Sequence, residues 1–249
     1  VNKSKTIGAV LAVLAWSGSV QAAEIKVLSA GALEPAMTAL ATDYAARTGD
    51  KLVIDFKTSA EMRERGQAGP LSVDVVATPD PLTAEFTSAG RTTGTPLAVG
   101  RIGIGVAIRS GDPVPDISTV PAFKAALLAA HSVLFNRASS GMGVEKMIQN
   151  LGLATELAAR TQRFPNAESV MKQLIAGEHG DLAMGAPTAI SLYTSKGLRY
   201  VGPIPAELQS YTSYGVALAP GASPTAHKLM EYLATPEARK IFAAKGVTP

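Results

Sequence analysis

The stretch Thr92-Thr93-Gly94-Thr95-Pro96-Leu97-Ala98-Val99-Gly100-Arg101-Ile102-Gly103-Ile104-Gly105-Val106-Ala107-Ile108 is long, extended and glycine-rich, with helical patterns on both sides. A second stretch of the same kind runs from Tyr200 to Leu218. Elsewhere short Val- and Ile-rich runs alternate with helical patterns, the signature of strands wound with helices around mostly parallel sheets. In such a chain an extended segment between helices can carry the backbone from one sheet into another, and two of them let it leave and return. The expected fold is therefore α/β, two lobes joined by two crossover strands. Residues 23–99 with 212–249 are expected to form lobe one, and residues 100–211 an inserted lobe two. Hinges of this sort sit in a few loop or strand-end positions that absorb the backbone rotation. The competing reading makes Arg101–Ile108 an ordinary core strand with glycines at close-packing sites.

The expected strands are Ile25–Ser29, Lys51–Phe56, Asp74–Ala77, Arg101–Ile108, Ser132–Phe135, Asp181–Met184, Arg199–Val201 and Ser213–Leu218. Leu33, Met37, Leu40, Ala41 and Tyr44 recur at helical spacing and predict a helix ending at Thr48-Gly49-Asp50. Thr58-Ser59-Ala60-Glu61 reads as a capping box, the Thr58 hydroxyl taking the N3 amide while Glu61 reaches back. Ser223-Pro224 and Thr235-Pro236 are N-cap and N1 proline signals for two further helices.

The first residues carry a different message. Lys3 and Lys5 precede an apolar run from Ile7 to Trp16 and the small-residue stretch Ser17–Ala23, the layout of a secretory leader. About 10 apolar residues are half of what a bilayer span needs. Residues 1–22 are thus expected to be a signal peptide that directs the chain to the periplasm. Without Lys3 and Lys5, 21 of the 23 basic residues remain against 20 acids. A chain so near neutrality does not indicate a strongly electropositive surface for nucleic acid, and no nucleic-acid partner is expected.

The chain has no cysteine, which excludes thiolate catalysis, disulfides and Cys-ligated metals. His131, His179 and His227 are far apart and none has metal-ligand spacing, so surface placement is expected for all three. Ser169-Val170-Met171-Lys172 matches Ser-x-x-Lys, but the companion motifs of acylating serine enzymes are absent. Gly141-Met142-Gly143 lacks a third glycine, and there is neither a Walker loop nor a nucleophile elbow. No enzymatic activity, cofactor or metal is expected.

What recurs is a small, hydroxyl-rich turn where a strand gives way to a helix: Ser29–Ala32, Thr58-Ser59, Ala77-Thr78, Ala138–Gly141 and Gly185–Thr188. Such turns present free backbone amides at the positive end of a helix dipole. Singly they are cap and turn chemistry. Five in one α/β chain point to a shared cleft for a small anion.

Ile25–Leu33, Phe56–Ser59, Gln67–Gly69, Val73–Ala77, Tyr214–Leu218 and the ending Ile241–Val247 resemble, in their order and spacing, the periplasmic molybdate-binding proteins of ABC transporters and their relatives. The resemblance covers essentially the whole chain after the leader. It implies the type II periplasmic binding protein fold, with an oxyanion held between the lobes by amides and hydroxyls. It further implies ligand contacts at Ser29, Gly31, Ala32, Thr58 and Ser59 from lobe one, and at Ser139, Ser140, Gly141, Val170, Gly185 and Ala186 from lobe two. Ala32 stands where the family has a serine, and Gly185 where it has a tyrosine. Each missing donor to a desolvated anion costs about 1.5–3 kcal/mol, which argues against molybdate or tungstate. The room left at Ala32 and Gly185 suits an organic carboxylate, with Arg137 or Arg101 adding a bidentate contact.

The expectation is a monomeric solute-binding protein that closes on a small anion and delivers it to an ABC permease. The alternatives are molybdate or tungstate binding, a sensory module without a permease, and an exported hydrolase using Ser169.

Overall fold

The computed structural model describes residues 22–249. The expected leader, residues 1–22, lies outside the described residues except for Ala22. The strands are β1 (Glu24–Ala30), β2 (Lys51–Lys57), β3 (Val75–Pro79), β4 (Thr93–Ile102), β5 (Gly105–Arg109), β6 (Val133–Asn136), β7 (Thr161–Phe164), β8 (Leu182–Gly185), β9 (Leu198–Pro203) and β10 (Thr212–Leu218). The helices are α1 (Glu34–Thr48), α2 (Ser59–Ala68), α3 (Asp80–Ser88), α4 (Val120–Ala129), α5 (Ser139–Asn150), α6 (Ala154–Leu157), α7 (Ala167–Ala176), α8 (Pro187–Ser191), α9 (Pro224–Leu233) and α10 (Pro236–Ala244).

They build two five-stranded sheets, ordered β2-β1-β3-β10-β4 and β7-β6-β8-β5-β9. In the first, β1 runs parallel to β2 and β3, and β10 is antiparallel to β3 and β4. The second repeats this plan, with β6 parallel to β7 and β8, and β5 antiparallel to β8 and β9. The chain leaves the first sheet as its edge strand β4 and enters the second as β5. It returns from the edge strand β9 to β10. This is the type II periplasmic binding protein fold.

The single strand expected over Arg101–Ile108 is in fact two. Gly103 and Ile104 lie between β4 and β5, and the strand residues on either side belong to different sheets. The glycine-rich stretch thus reads as a crossover and not as one core strand. β7 was not foreseen, because Thr161-Gln162-Arg163-Phe164 is a half-exposed edge with no apolar run.

Local signals act as the residues dictate. Gly49 ends α1 in the left-handed region at φ 81°. Thr58 and Glu61 form the reciprocal capping box, and Ser223 and Thr235 cap α9 and α10. One core gathers Leu33, Met37, Leu40, Val75 and Phe242 around the first sheet. The second sheet has a core on each face, one around Phe123 and Phe135 and the other around Leu134, Val170 and Leu174.

Candidate functional site

The carboxyl ends of parallel strands from both sheets face one another across a cavity of about 520 Å³. From lobe one, β1 ends in a 3-10 turn, Gly31–Leu33, that leads into α1. Leu33 is fully buried and anchors this turn, while Gly31, Ala32 and Glu34 line the cavity. From β2 the chain passes Lys57 and Thr58 into α2. The Thr58 amide donates to Glu61 Oε2 at 2.7 Å and the Glu61 amide to Thr58 Oγ1 at 3.3 Å. Capping of Glu61 leaves the first-turn amides of Ser59 and Ala60 without an acceptor in the helix.

From lobe two, Asn136 at the end of β6 accepts the Ala138 amide at 2.8 Å and fixes the turn into α5. Asn166 caps α7, accepting the Ser169 amide at 2.8 Å. Asn136, Ala138, Ser139, Ser140, Asn166, Ala167 and Glu168 line this side. Past β8, Ala186, Ala189, Tyr193 and Lys196 line the cavity. The lobes touch across the cleft, Ser59 Oγ lying 3.3 Å from Ser139 Oγ. Beside the cleft, the Thr188 hydroxyl donates to the Ala32 carbonyl at 2.7 Å.

Three helices of ten residues or more, α2, α5 and α7, thus open onto the cavity, each with amides at the positive end of its dipole. Lys57 and Lys196 add cationic charge, and Phe56, Leu192 and Tyr214 supply apolar surface. The ionisable groups differ sharply in their commitments. The Thr58 hydroxyl and amide hold the Glu61 carboxyl below the usual range. Lys172, 2.6 Å from Glu168, does the same there. Burial, and then the Glu168 charge, push the Glu34 carboxyl up, against an opposing pull from Lys196. Burial also raises the Tyr193 phenol, and the Glu168 charge adds to it.

Of the residues predicted to contact a ligand, Gly31, Ala32, Thr58, Ser59, Ser139, Ser140 and Ala186 line the cavity. Five do not. Ser29 is fully buried and its hydroxyl donates to the Ala30 carbonyl at 3.3 Å. Val170 faces the sheet within the core, and its amide is used in the helix, donating to the Asn166 carbonyl. The α7 residues at the cavity are Ala167 and Glu168, one helical face away. Arg137 follows the buried Asn136, is exposed and does not line the cavity. Gly141 packs beneath the turn, where an added Cβ would meet the Asn136 carbonyl oxygen at 1.6 Å. Gly185 pairs with Gly105 one residue short of the cavity, although a Cβ there would meet nothing within 4 Å.

Arg101 also lies elsewhere, over the Tyr211 ring at 4.5 Å, so no arginine lines the cavity. The Ala77-Thr78 turn contributes only through Pro79, because the buried Thr78 hydroxyl is engaged with Thr83 at 2.6 Å. All three histidines are exposed. Ser169 is off the cavity wall, and Lys172 holds Glu168, so this pair gives no nucleophile and base. The sequence reading missed Glu34, Lys57, Asn136, Asn166, Glu168, Tyr193 and Lys196. Asn166 was findable as an N-cap before Ala167-Glu168.

Relatives place this geometry among known proteins. A protein of Pseudomonas sp named aconitate isomerase is 29% identical over 235 residues, covering 90% of this chain and 87% of that one. The periplasmic molybdate-binding protein of Azotobacter vinelandii shares the fold with a TM-score of 0.75 at 18% identity, over 90% of this chain and 99% of that one. PEB3 with L-phospholactate bound gives a TM-score of 0.69 at 17% identity, over 90% and 99%. The aconitate isomerase corrects the expectation that this chain has no enzymatic activity, since a relative of nearly the same length is named as an enzyme. That expectation rested on missing nucleophile and metal motifs, and general acid–base catalysis needs neither. The profile of the bacterial extracellular solute-binding protein family matches residues 25–248, and the chain belongs to that family.

Proposed function

We propose that the protein binds a small organic polycarboxylate between its lobes and isomerises it, with aconitate as the first candidate. The cleft chemistry carries this reading. Amides and hydroxyls at the starts of α2, α5 and α7, with Lys57 and Lys196, offer donors at separated points around one cavity. Separated donors suit several carboxylates on one carbon skeleton, and Phe56, Leu192 and Tyr214 suit the skeleton itself. A volume of about 520 Å³ lies within the 300–1,000 Å³ typical of sites for whole small organic molecules. The likeness to an aconitate isomerase supports the same substrate class.

The test is calorimetry and proton NMR of the purified protein with cis- and trans-aconitate, citrate and molybdate. Saturable aconitate binding with interconversion of the two isomers is the expected result. Molybdate binding at micromolar concentration with no response to any carboxylate overturns it. Delivery of the captured acid to an ABC permease is a second reading, favoured by the two-lobed fold with paired crossovers. Its measure is ligand-dependent stimulation of a reconstituted permease and its ATPase.

A further inference from the structure

We infer that Glu34 is the base that moves the proton in this isomerisation and that it exchanges the proton with solvent through the groove on its far side. This role rests on the proposed function. The carboxylates and lysines of the cavity wall differ in how far they are already engaged.

Glu61 has its carboxylate tied to the amide and hydroxyl of Thr58, both at 2.7 Å. Glu168 is held by Lys172. Lys57 pairs with Asp55 at 3.1 Å, and the Lys196 ammonium lies over the Tyr193 ring at 4.7 Å. Glu34 alone among the lining carboxylates makes no hydrogen bond or ion pair within the described residues. It is half-buried at the first position of α1, where Leu33 beneath it and Pro35 after it fix the backbone. Burial beside Glu168 makes its carboxylate more basic than usual, the direction a proton-abstracting group requires.

Its position has a second consequence. Glu34 also borders a groove of about 820 Å³ behind the cleft, lined by Thr38, Thr188, Ser191 and Lys245 among others. Glu34 therefore borders a second opening to water besides the cleft itself.

The chemistry balances without a cofactor. Aconitate has a methylene group between a carboxylate and a carbon–carbon double bond. The Glu34 carboxylate takes one methylene proton, and the electron pair left behind spreads over three carbons and the adjoining carboxylate. The double bond moves to the former methylene carbon. The proton, or one from solvent, is returned to the former alkene CH, which becomes the new methylene. No atom is gained and nothing is oxidised, and the new double bond is cis or trans according to how the anion lies. Amides at the starts of α2, α5 and α7 are placed to stabilise the carboxylate that takes up the charge.

Wild type, Glu34→Gln and Glu34→Asp are compared in D2O by NMR, with aconitate binding followed by calorimetry. Wild type is expected to form isomerised product carrying deuterium at the methylene carbon. Glu34→Gln should lose isomerisation and deuterium uptake by about a hundredfold or more while still binding aconitate, and Glu34→Asp should restore part of both. Turnover by Glu34→Gln within about threefold of wild type overturns the assignment. Wild-type product free of deuterium overturns the solvent route. Wild type that binds aconitate without isomerising it removes the reaction itself and the base with it, an outcome separate from the variant's behaviour.

Discussion

The side chain of Gln209 holds both polar atoms of the Ile104 backbone, accepting its amide at 2.6 Å and donating to its carbonyl at 2.9 Å. Ile104 lies between β4 and β5 in the first crossover, and Gln209 lies between β9 and β10 in the second. One primary amide therefore ties together the two segments that connect the sheets. Ile104 is 2% exposed, so its amide has no ready replacement partner in water. Gln209→Leu is expected to lower stability by about 1–3 kcal/mol, the cost of leaving the buried Ile104 amide unpaired, while the Ile104 carbonyl keeps the Ile204 amide at 3.2 Å. Urea unfolding measures the loss. Hydrogen exchange at the Ile104 amide, which should speed up, shows that it arises at the crossover.

Gly141 and Gly31 both belong to turns at the cleft, yet they should respond oppositely to a methyl group. An alanine Cβ at position 141 would lie 1.6 Å from the Asn136 carbonyl oxygen, whereas at position 31 it meets nothing within 4 Å. Gly141→Ala must displace the β6–α5 turn and is expected to cost about 1–3 kcal/mol or more. It should also weaken ligand binding by moving Ser139 and Ser140. Gly31→Ala is expected to stay within about 0.5 kcal/mol of wild type. Thermal melts of the two variants side by side decide the point.

Much of the fold was legible because its signals are local. The caps at Thr58, Ser223 and Thr235 and the stop at Gly49 depend on neighbours within a few residues. The glycine-rich Thr92–Ile108 stretch was readable as a crossover because no helix pattern interrupts it. What escaped were features defined by the other lobe or by solvent. β7 is polar because it is an edge, so only the Asn166 cap marked the turn that follows it, and the resemblance pointed instead to Val170, which the helix turns into the core. Arg137 was assigned a contact by charge, but it follows the end of β6 as an exposed residue outside the cavity lining. Glu34 looked like an ordinary acid at a helix start, since its isolation depends on burial and on Glu168 arriving from the opposite lobe.

Ser59 and Ser139 face each other from opposite lobes at 3.3 Å, each in the first turn of its helix. Both hydroxyls line the cavity, so each can donate to a carboxylate held there. Removal of one such donor to a charged ligand is expected to cost about 1.5–3 kcal/mol. Ser59→Ala and Ser139→Ala should thus each weaken aconitate binding by about ten- to hundredfold in calorimetry. The double variant should lose less than the sum, because the two hydroxyls share a partner and a site. Unchanged affinity in both single variants would show that the ligand sits elsewhere.

Glu34 and Glu61 lie on the same wall, but their effects on stability have opposite pH dependence. Burial and the Glu168 charge raise Glu34, and hydrogen bonds from Thr58 lower Glu61. A raised carboxyl holds its proton more tightly in the folded state, so it detracts from stability increasingly as pH climbs from the ordinary glutamate value, about 4.3, through the raised one. A lowered carboxyl contributes stability above the ordinary value and loses it as pH falls through the lowered one. Glu34→Gln should therefore melt above wild type at neutral pH, with the difference vanishing in acid below the ordinary glutamate range. Glu61→Gln should melt below wild type at neutral pH and converge with it in acid. Melting curves across this range separate the two. If Glu34→Gln melts lower at neutral pH, its carboxylate has a stabilising partner in solution, and a group so compensated has no reason to be the most basic carboxylate of the cleft.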